Sequence, residues 1–202
     1  MIRELQGGVR RRRVLLLAGA ALWSVLVAAG LVKLGAHDVV PGPAGEGPAS
    51  WPAAAGFSND PSKPTLVMLA HPGCPCTLSS LRELERIQGE TSVGVTAHVL
   101  FLEVPGAPSE ESATIRLARS LPGVVVHTRM PAKTALVWGA HTSGQVFLFD
   151  RKGVLRFSGG ITPSRGHEGL NVGHEAVESF ARTGRLKTNQ APVFGCSLLG
   201  AS

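Results

Sequence analysis

Apolar positions change their spacing several times along the chain, and each change marks an expected element. The first block, residues 14–32, is a stretch of 19 positions without a charge, dominated by Leu, Ala and Val and preceded by Arg10-Arg11-Arg12-Arg13. At 1.5 Å rise per residue it spans about 28 Å, close to the hydrocarbon thickness of a bilayer. The arginines are expected on the cytoplasmic side, with everything after Lys33 across the membrane. The stretch is longer than the roughly 7–15-residue apolar core of a cleaved signal peptide, and no clean small-x-small site precedes a polar start. It reads as an uncleaved signal-anchor. The expectation is a single-pass membrane protein with its C-terminal domain in the periplasm or extracellular space.

Periodicity then disappears over residues 33–63, which are rich in Gly, Pro, Ala and Ser, with Trp51 and Phe57 as isolated apolar positions. This composition reads as a spacer. The expected division is a basic tail (1–13), a transmembrane anchor (14–32), a linker (33–63) and one domain (64–202), long enough for a single core.

Inside that domain the pattern alternates between strand and helix. Thr65-Leu66-Val67-Met68-Leu69-Ala70 reads as a buried strand, and Leu78, Leu81, Leu84 and Ile87 form an apolar stripe on a helix starting near Cys76 or Thr77. Residues 93–104 contain the next strand, with 97–102 at its centre and Pro105 as its stop. Ser109-Glu110-Glu111 offers a helix start, with Ile115, Leu117, Ala118 and Leu121 following before Pro122-Gly123. Val124-Val125-Val126 is a short strand and residues 132–138 a brief helix. Residues 145–149 and 154–157 flank Asp150-Arg151-Lys152-Gly153, a hairpin signal. Residues 171–182 supply the last helix, stopped by Gly184. The outline is an α/β sandwich, with a central sheet covered on both faces.

Charge narrows the partners. Of the net +6, Arg3, Glu4 and the four arginines contribute +4, leaving +2 for the rest. The basic balance thus belongs to the tail that flanks the anchor. Nucleic-acid binding is not expected, because the remainder has neither a basic stripe nor interleaved aromatics.

The chemistry lies in three cysteines. Cys74-Pro75-Cys76 stands between the first strand and the first helix of the domain, and Cys196 is near the C-terminus. Two thiols at a helix start are placed where the helix dipole and unpaired N–H groups stabilise a thiolate. Cys74 is the expected nucleophile and Cys76 the resolving thiol, with Cys196 as another route if the tail folds back. A Cys76–Cys196 structural disulfide is the plain alternative in an oxidising compartment. Soft thiolates also suit Cu(I) or Zn, and a ligand set of His71, Cys74, Cys76, His167 and Cys196 is the metal-handling alternative. His174 is a further candidate for that set, whereas His98 is expected in a strand and His127 in a loop or at the surface. The glycine-rich loop 159–169 reads either as a surface connector or as an active-site loop. In the second reading, Arg165 partners a thiolate and His167 is a shuttle or ligand.

The strand-cysteine-helix join over residues 66–84 and the hairpin Val146-Phe147-Leu148-Phe149-Asp150-Arg151-Lys152-Gly153 resemble the thioredoxin-like superfamily, particularly its membrane-anchored TlpA-type members. The resemblance covers residues 64–182. Cys-Pro-Cys, the Arg165-Gly166-His167-Glu168-Gly169 loop and Val193-Phe194-Gly195-Cys196 also resemble RedB-like proteins. The resemblance implies a thioredoxin-like three-layer sandwich with a central mixed sheet, preceded by one transmembrane helix. It implies thiol-disulfide oxidoreductase activity on a protein or small thiol partner, with a redox-active centre and no cofactor. Copper or zinc delivery on the same fold is the alternative. Two departures stand out. The family spacing is Cys-x-x-Cys rather than Cys-x-Cys, and Ser143-Gly144-Gln145 stands where the family has a cis-proline.

Overall fold

A computed structural model describes residues 2–90, 94–103 and 112–198, with side chains described from residue 11 onward. Two compact units divide the chain at Val39/Val40. The first is one helix, α1 (Ile2–Val39). Its stretch Arg11–Val39 is long and apolar enough to cross a membrane, and its apolar side chains are exposed, Leu17 by 70% and Val32 by 71%. The helix outruns the expected 14–32 because nothing in Lys33-Leu34-Gly35-Ala36-His37 stops it; the first proline is Pro41, two residues past its end.

The second unit is built on a five-stranded sheet in the order β3-β2-β1-β4-β5. Strands β1 (Thr65–Ala70), β2 (Thr96–Leu102) and β3 (Val124–Met130) are parallel, whereas β4 (Val146–Phe149) runs antiparallel to β1 and β5 (Leu155–Gly159) antiparallel to β4. Alternation along β1 sorts side chains between two cores. Leu66, Met68 and Ala70 face helices α2 (Pro75–Glu90), α3 (Ala113–Ser120) and α5 (Val172–Thr183), joining Leu81, Leu84, Ile87, Ile115 and Val177. Val67 and Leu69 face the other way, onto Trp138 of α4 (Lys133–Trp138), Phe147 and Phe149. The fold is therefore a mixed-sheet α/β sandwich with helices on both faces, as the alternating pattern implies.

Boundaries moved where local chemistry competes. Ser112, whose hydroxyl accepts the Ile115 N–H, caps α3; Ser109, Glu110 and Glu111, read as its start, lie outside the described residues. Asn171 caps α5 by accepting from Gly173 and His174 N–H, and Gly184 ends it in the left-handed region. His127, expected in a loop or at the surface, is on β3, its Nε2 3.0 Å from His98 Nδ1 on β2. Phe57 stacks on both rings, at 4.3 and 4.6 Å.

Beyond Val40 the expected linker is not a free spacer. Residues 40–63 form a strap laid over the domain. Gly42 pairs with Val193, Gly45 N–H donates to Gln145 Oε1 (3.2 Å), and Leu155 N–H donates to the Ala49 carbonyl (3.0 Å). Trp51 anchors it, 5.3 Å from Trp138 and 5.1 Å from Phe149 ring to ring. The glycines that looked like flexibility serve close approach instead: a Cβ on Gly45 would overlap the Gly139 carbonyl, and one on Gly42 would meet the Thr142 side chain.

Candidate functional site

The join between β1 and α2 places the first two thiols. α2 starts at Pro75, one residue before the expected start, because proline fits the first helical position, where its missing N–H has no intrahelical partner. Cys74 thus sits immediately before the helix, its carbonyl accepting the Thr77 N–H at 3.0 Å. The preceding loop is tied on all sides. Cys74 N–H donates to the His71 carbonyl (3.2 Å), Thr77 Oγ1 donates to the same carbonyl (3.0 Å), and Thr114 Oγ1 donates to the Pro72 carbonyl (2.7 Å).

Opposite this loop stands the stretch before β4. Ser143 Oγ accepts the His71 N–H at 2.9 Å and lies 2.9 Å from Thr77 Oγ1. Gly144 N–H donates to the Leu69 carbonyl at 2.8 Å with φ +86°, a left-handed turn that favours glycine. No cis peptide bond is present among the described residues. Ser143 heads the Ser143-Gly144-Gln145 stretch that the resemblance sets against a cis-proline, and it ties the two loops together through its hydroxyl.

The C-terminal tail closes the site. Ser143 N–H donates to the Cys196 carbonyl (2.8 Å), Leu198 N–H donates to the His141 carbonyl (2.9 Å), and Thr142 pairs with Ser197 in an antiparallel bridge. Gly195 is demanded by this pairing, since a Cβ there would overlap the Ser143 carbonyl. The loop 159–169 holds the tail from the other side, with an Arg165 guanidinium N–H donating to the Gly195 carbonyl.

Cys74 is the hub of the three unbridged thiols. Its sulfur receives the Cys76 thiol, the Cys196 thiol, and the backbone N–H groups of Cys196 and Thr77. These donors, Cys76 foremost, outweigh burial and hold the Cys74 pKa well below the usual thiol range. Cys76 is pushed up, first by donating to Cys74, then by burial and the neighbouring charge, with the Gly166 N–H opposing. Cys196 is pushed up by burial, then by its bond to Cys74, with Arg165 opposing. Cys74 is 1% exposed and Cys76 7%, whereas Cys196 is half-buried. The three thiols are thus tuned in opposite directions, Cys74 toward the thiolate and Cys76 and Cys196 toward the protonated form.

The histidines of the metal alternative do not join this cluster. His71 Nδ1 accepts the Gly73 N–H at 3.0 Å, and exposed His167 has Nδ1 2.7 Å from the Arg165 carbonyl oxygen. Among the described residues, no three of His71, Cys74, Cys76, His167 and Cys196 bring ligand atoms within 4.8 Å of one another. His174 is turned away toward Glu83, inside the α2–α5 contact. The sequence marked Ser143 only as part of the stretch set against the family's cis-proline and Thr77 only as a possible helix start; the hydroxyl contact between them carries no periodic or motif signal. Gly195 and Arg165 lie in stretches that were flagged, but their contact is formed across 30 residues of chain.

No family model and no curated protein matches the chain. Solved structures do. An uncharacterized conserved protein from Geobacillus kaustophilus is 17% identical, with 79% of this chain and 93% of that one covered, at a TM-score of 0.54. A hypothetical protein from Sinorhizobium meliloti 1021 is 19% identical, with 81% and 96% covered, at 0.53. The exposed lipoprotein thioredoxin of Streptococcus pneumoniae shows a partial likeness, 14% identical over 55% of this chain and 77% of that one, at 0.39. The sheet order, with β1–β3 parallel and β4–β5 antiparallel, defines a mixed-sheet α/β fold that the first two of these structures share.

Proposed function

We propose that this chain is a membrane-tethered thiol-disulfide oxidoreductase of the TlpA/RedB-like kind, with α1 as the anchor and its thioredoxin-like domain on the extracytoplasmic side. The observation that carries the reading is the Cys74 sulfur, which collects two thiol and two backbone donors at the start of α2. The apolar, exposed face of α1 supports the tether, and Arg10 to Arg13 support the orientation.

In the forward step the Cys74 thiolate attacks one sulfur of a substrate disulfide. A Cys74–substrate bond forms, the substrate S–S bond breaks, and the departing sulfur takes a proton. A second thiol of the domain, deprotonated, then attacks the Cys74 sulfur and releases the other substrate thiol, leaving an intrachain disulfide that an external dithiol must reduce. Cys196 is the better resolving thiol on geometric grounds. It reaches Cys74 from a separate segment of chain, whereas a Cys74–Cys76 bond closes a small, strained ring across Pro75. With Cys74 buried, the tail must lift for a substrate to enter.

The test is trapping with a model disulfide. Cys196→Ser should accumulate the Cys74 mixed disulfide, and Cys74→Ser should form none. Turnover by Cys74→Ser at the parent rate would sink the assignment.

A further inference from the structure

A second cluster lies where α2 packs on α5, outside the thiol site. Glu83 of α2 is fully buried. One carboxylate oxygen accepts the Gly169 N–H (2.6 Å) and an Arg86 N–H (3.0 Å), and the other lies 2.7 Å from Nδ1 of His174, itself 0% exposed. A carboxylate is acceptor-only, so Nδ1 carries the proton and donates it.

The other ring nitrogen, Nε2, then points at carboxylates. It lies 3.4 Å from Glu90 Oε2, and His174, Glu90 and Glu178 each bring one ligand atom to within 4.8 Å of the other two. With the proton on Nδ1, Nε2 offers a lone pair beside the Glu90 carboxylate, a pairing that a positive group between them would stabilise. A proton is one choice, but 3.4 Å is long for an N–H···O bond, which prefers about 2.9–3.0 Å. The separation suits a shared cation better. Ligands about 2.05 Å from a tetrahedral zinc stand about 3.3 Å from one another. A buried carboxylate on the far nitrogen is also the arrangement that orients a metal-bound histidine and raises its basicity.

We propose that His174 Nε2, Glu90 and Glu178 form a binding site for one zinc-class divalent cation, with water completing the tetrahedron. His174 and Glu178 are one turn apart on α5, and Glu90 is the last residue of α2, so the cation bridges the two helices. Glu178 keeps an oxygen for it, since Arg182 occupies the other at 2.7 Å. Arg86 pairs with Glu83 and Glu168 and Arg182 with Glu178, while the Glu90 carboxylate stands against His174. The Glu90 side chain is 50% exposed and that of Glu178 20%, which gives the ion a way in from solvent. An imidazole in the set favours zinc over magnesium or calcium. Its effect is structural: it clamps α2 to α5.

Zinc titration of the full-length chain in detergent against a chromophoric chelator, with thermal unfolding as a second readout, tests the site. The expected result is a zinc equivalent that survives replacement of all three cysteines by serine and raises the unfolding midpoint. Glu90→Gln and Glu178→Gln, both at partly exposed positions, should each weaken it at least tenfold and abolish the midpoint shift. Glu83→Gln should weaken it by about 10–100-fold through His174. Should the triple-serine chain not fold, the glutamine variants in the parent decide the matter. Unchanged zinc affinity in Glu90→Gln and Glu178→Gln, or zinc lost only with the cysteines, would overturn the proposal. Neither result depends on whether the thiols exchange disulfides.

Discussion

The Ser143 backbone N–H donates to the Cys196 carbonyl at 2.8 Å, and through that bond the C-terminal tail delivers a thiol to Cys74. The thiol site is thus assembled from both ends of the domain's chemistry: a helix start prepared early in the chain and an extended tail added last.

The tail's hold on Cys74 gives a pH signature. The donors that lower the Cys74 pKa include the Cys196 thiol and its backbone N–H. Cys196→Ser leaves a hydroxyl in place, whereas truncation before Gly195 removes both donors. Alkylation of Cys74, followed by peptide mass mapping across pH, should show reaction in the parent already at mildly acidic pH. In the truncated chain the midpoint should move upward and the alkaline-limit rate should rise, because the sulfur is uncovered. An identical midpoint in both chains would show that the tail does not tune the thiol.

Gly195→Ala drives a methyl group into the Ser143 carbonyl. The expected cost is about 1–3 kcal/mol, in the range of an overpacked contact, taken up largely by detachment of the tail. Chemical denaturation gives the loss. Faster Cys74 alkylation without global unfolding would locate the damage at the tail.

Trp51 separates a strap from a spacer. Its ring packs edge-on against Trp138 and Phe149, and its Nε1 donates to the Phe57 carbonyl at 3.0 Å. Trp51→Ala should destabilise the domain by about 2 kcal/mol, below the usual range for a fully buried tryptophan because this one is partly exposed. A change within about 0.5 kcal/mol, as for an ordinary surface position, would mean that the strap contributes nothing.

The paired histidines set an acid limit. Burial, with help from His127, lowers the His98 pKa from 6.5 to about 4, and burial lowers that of His127. Both rings are kept neutral in the fold and take up protons more readily when unfolded. Their contribution is therefore fully present above pH 6.5 and is lost as pH falls toward 4, with His98 accounting for about 3 kcal/mol at most. Urea midpoints measured from pH 7.5 to 4 should fall across that window, and His98→Gln should flatten the slope.

How far the sequence carried depended on the range of the interaction. β1, α2 and the β4–β5 hairpin were legible because strand runs, an apolar stripe and an Asp-to-Gly turn act over a few residues. Cys74 and Cys76 were legible for the same reason: their place before a helix is local. That Cys196 lies beside Cys74 rather than free in the tail was not, since long-range backbone pairing, of Ser143 with Cys196 and of Thr142 with Ser197, brings it there. Residues 40–63 misled because glycine and proline signal flexible linkers and tightly laid straps alike. Composition cannot distinguish a glycine that must be free from one that must be thin, as Gly45 against the Gly139 carbonyl must be. His127 was misplaced because β3 extends past its valine triplet into polar residues that pair with β2.

The bridge between Gly42 and Val193 joins positions 151 residues apart. Contacts of such separation are costly to close and form late in folding. Cys74 and Cys76 thus take their places through contacts local to the head of α2, whereas Cys196 depends on the long-range closure that seats the tail on Ser143.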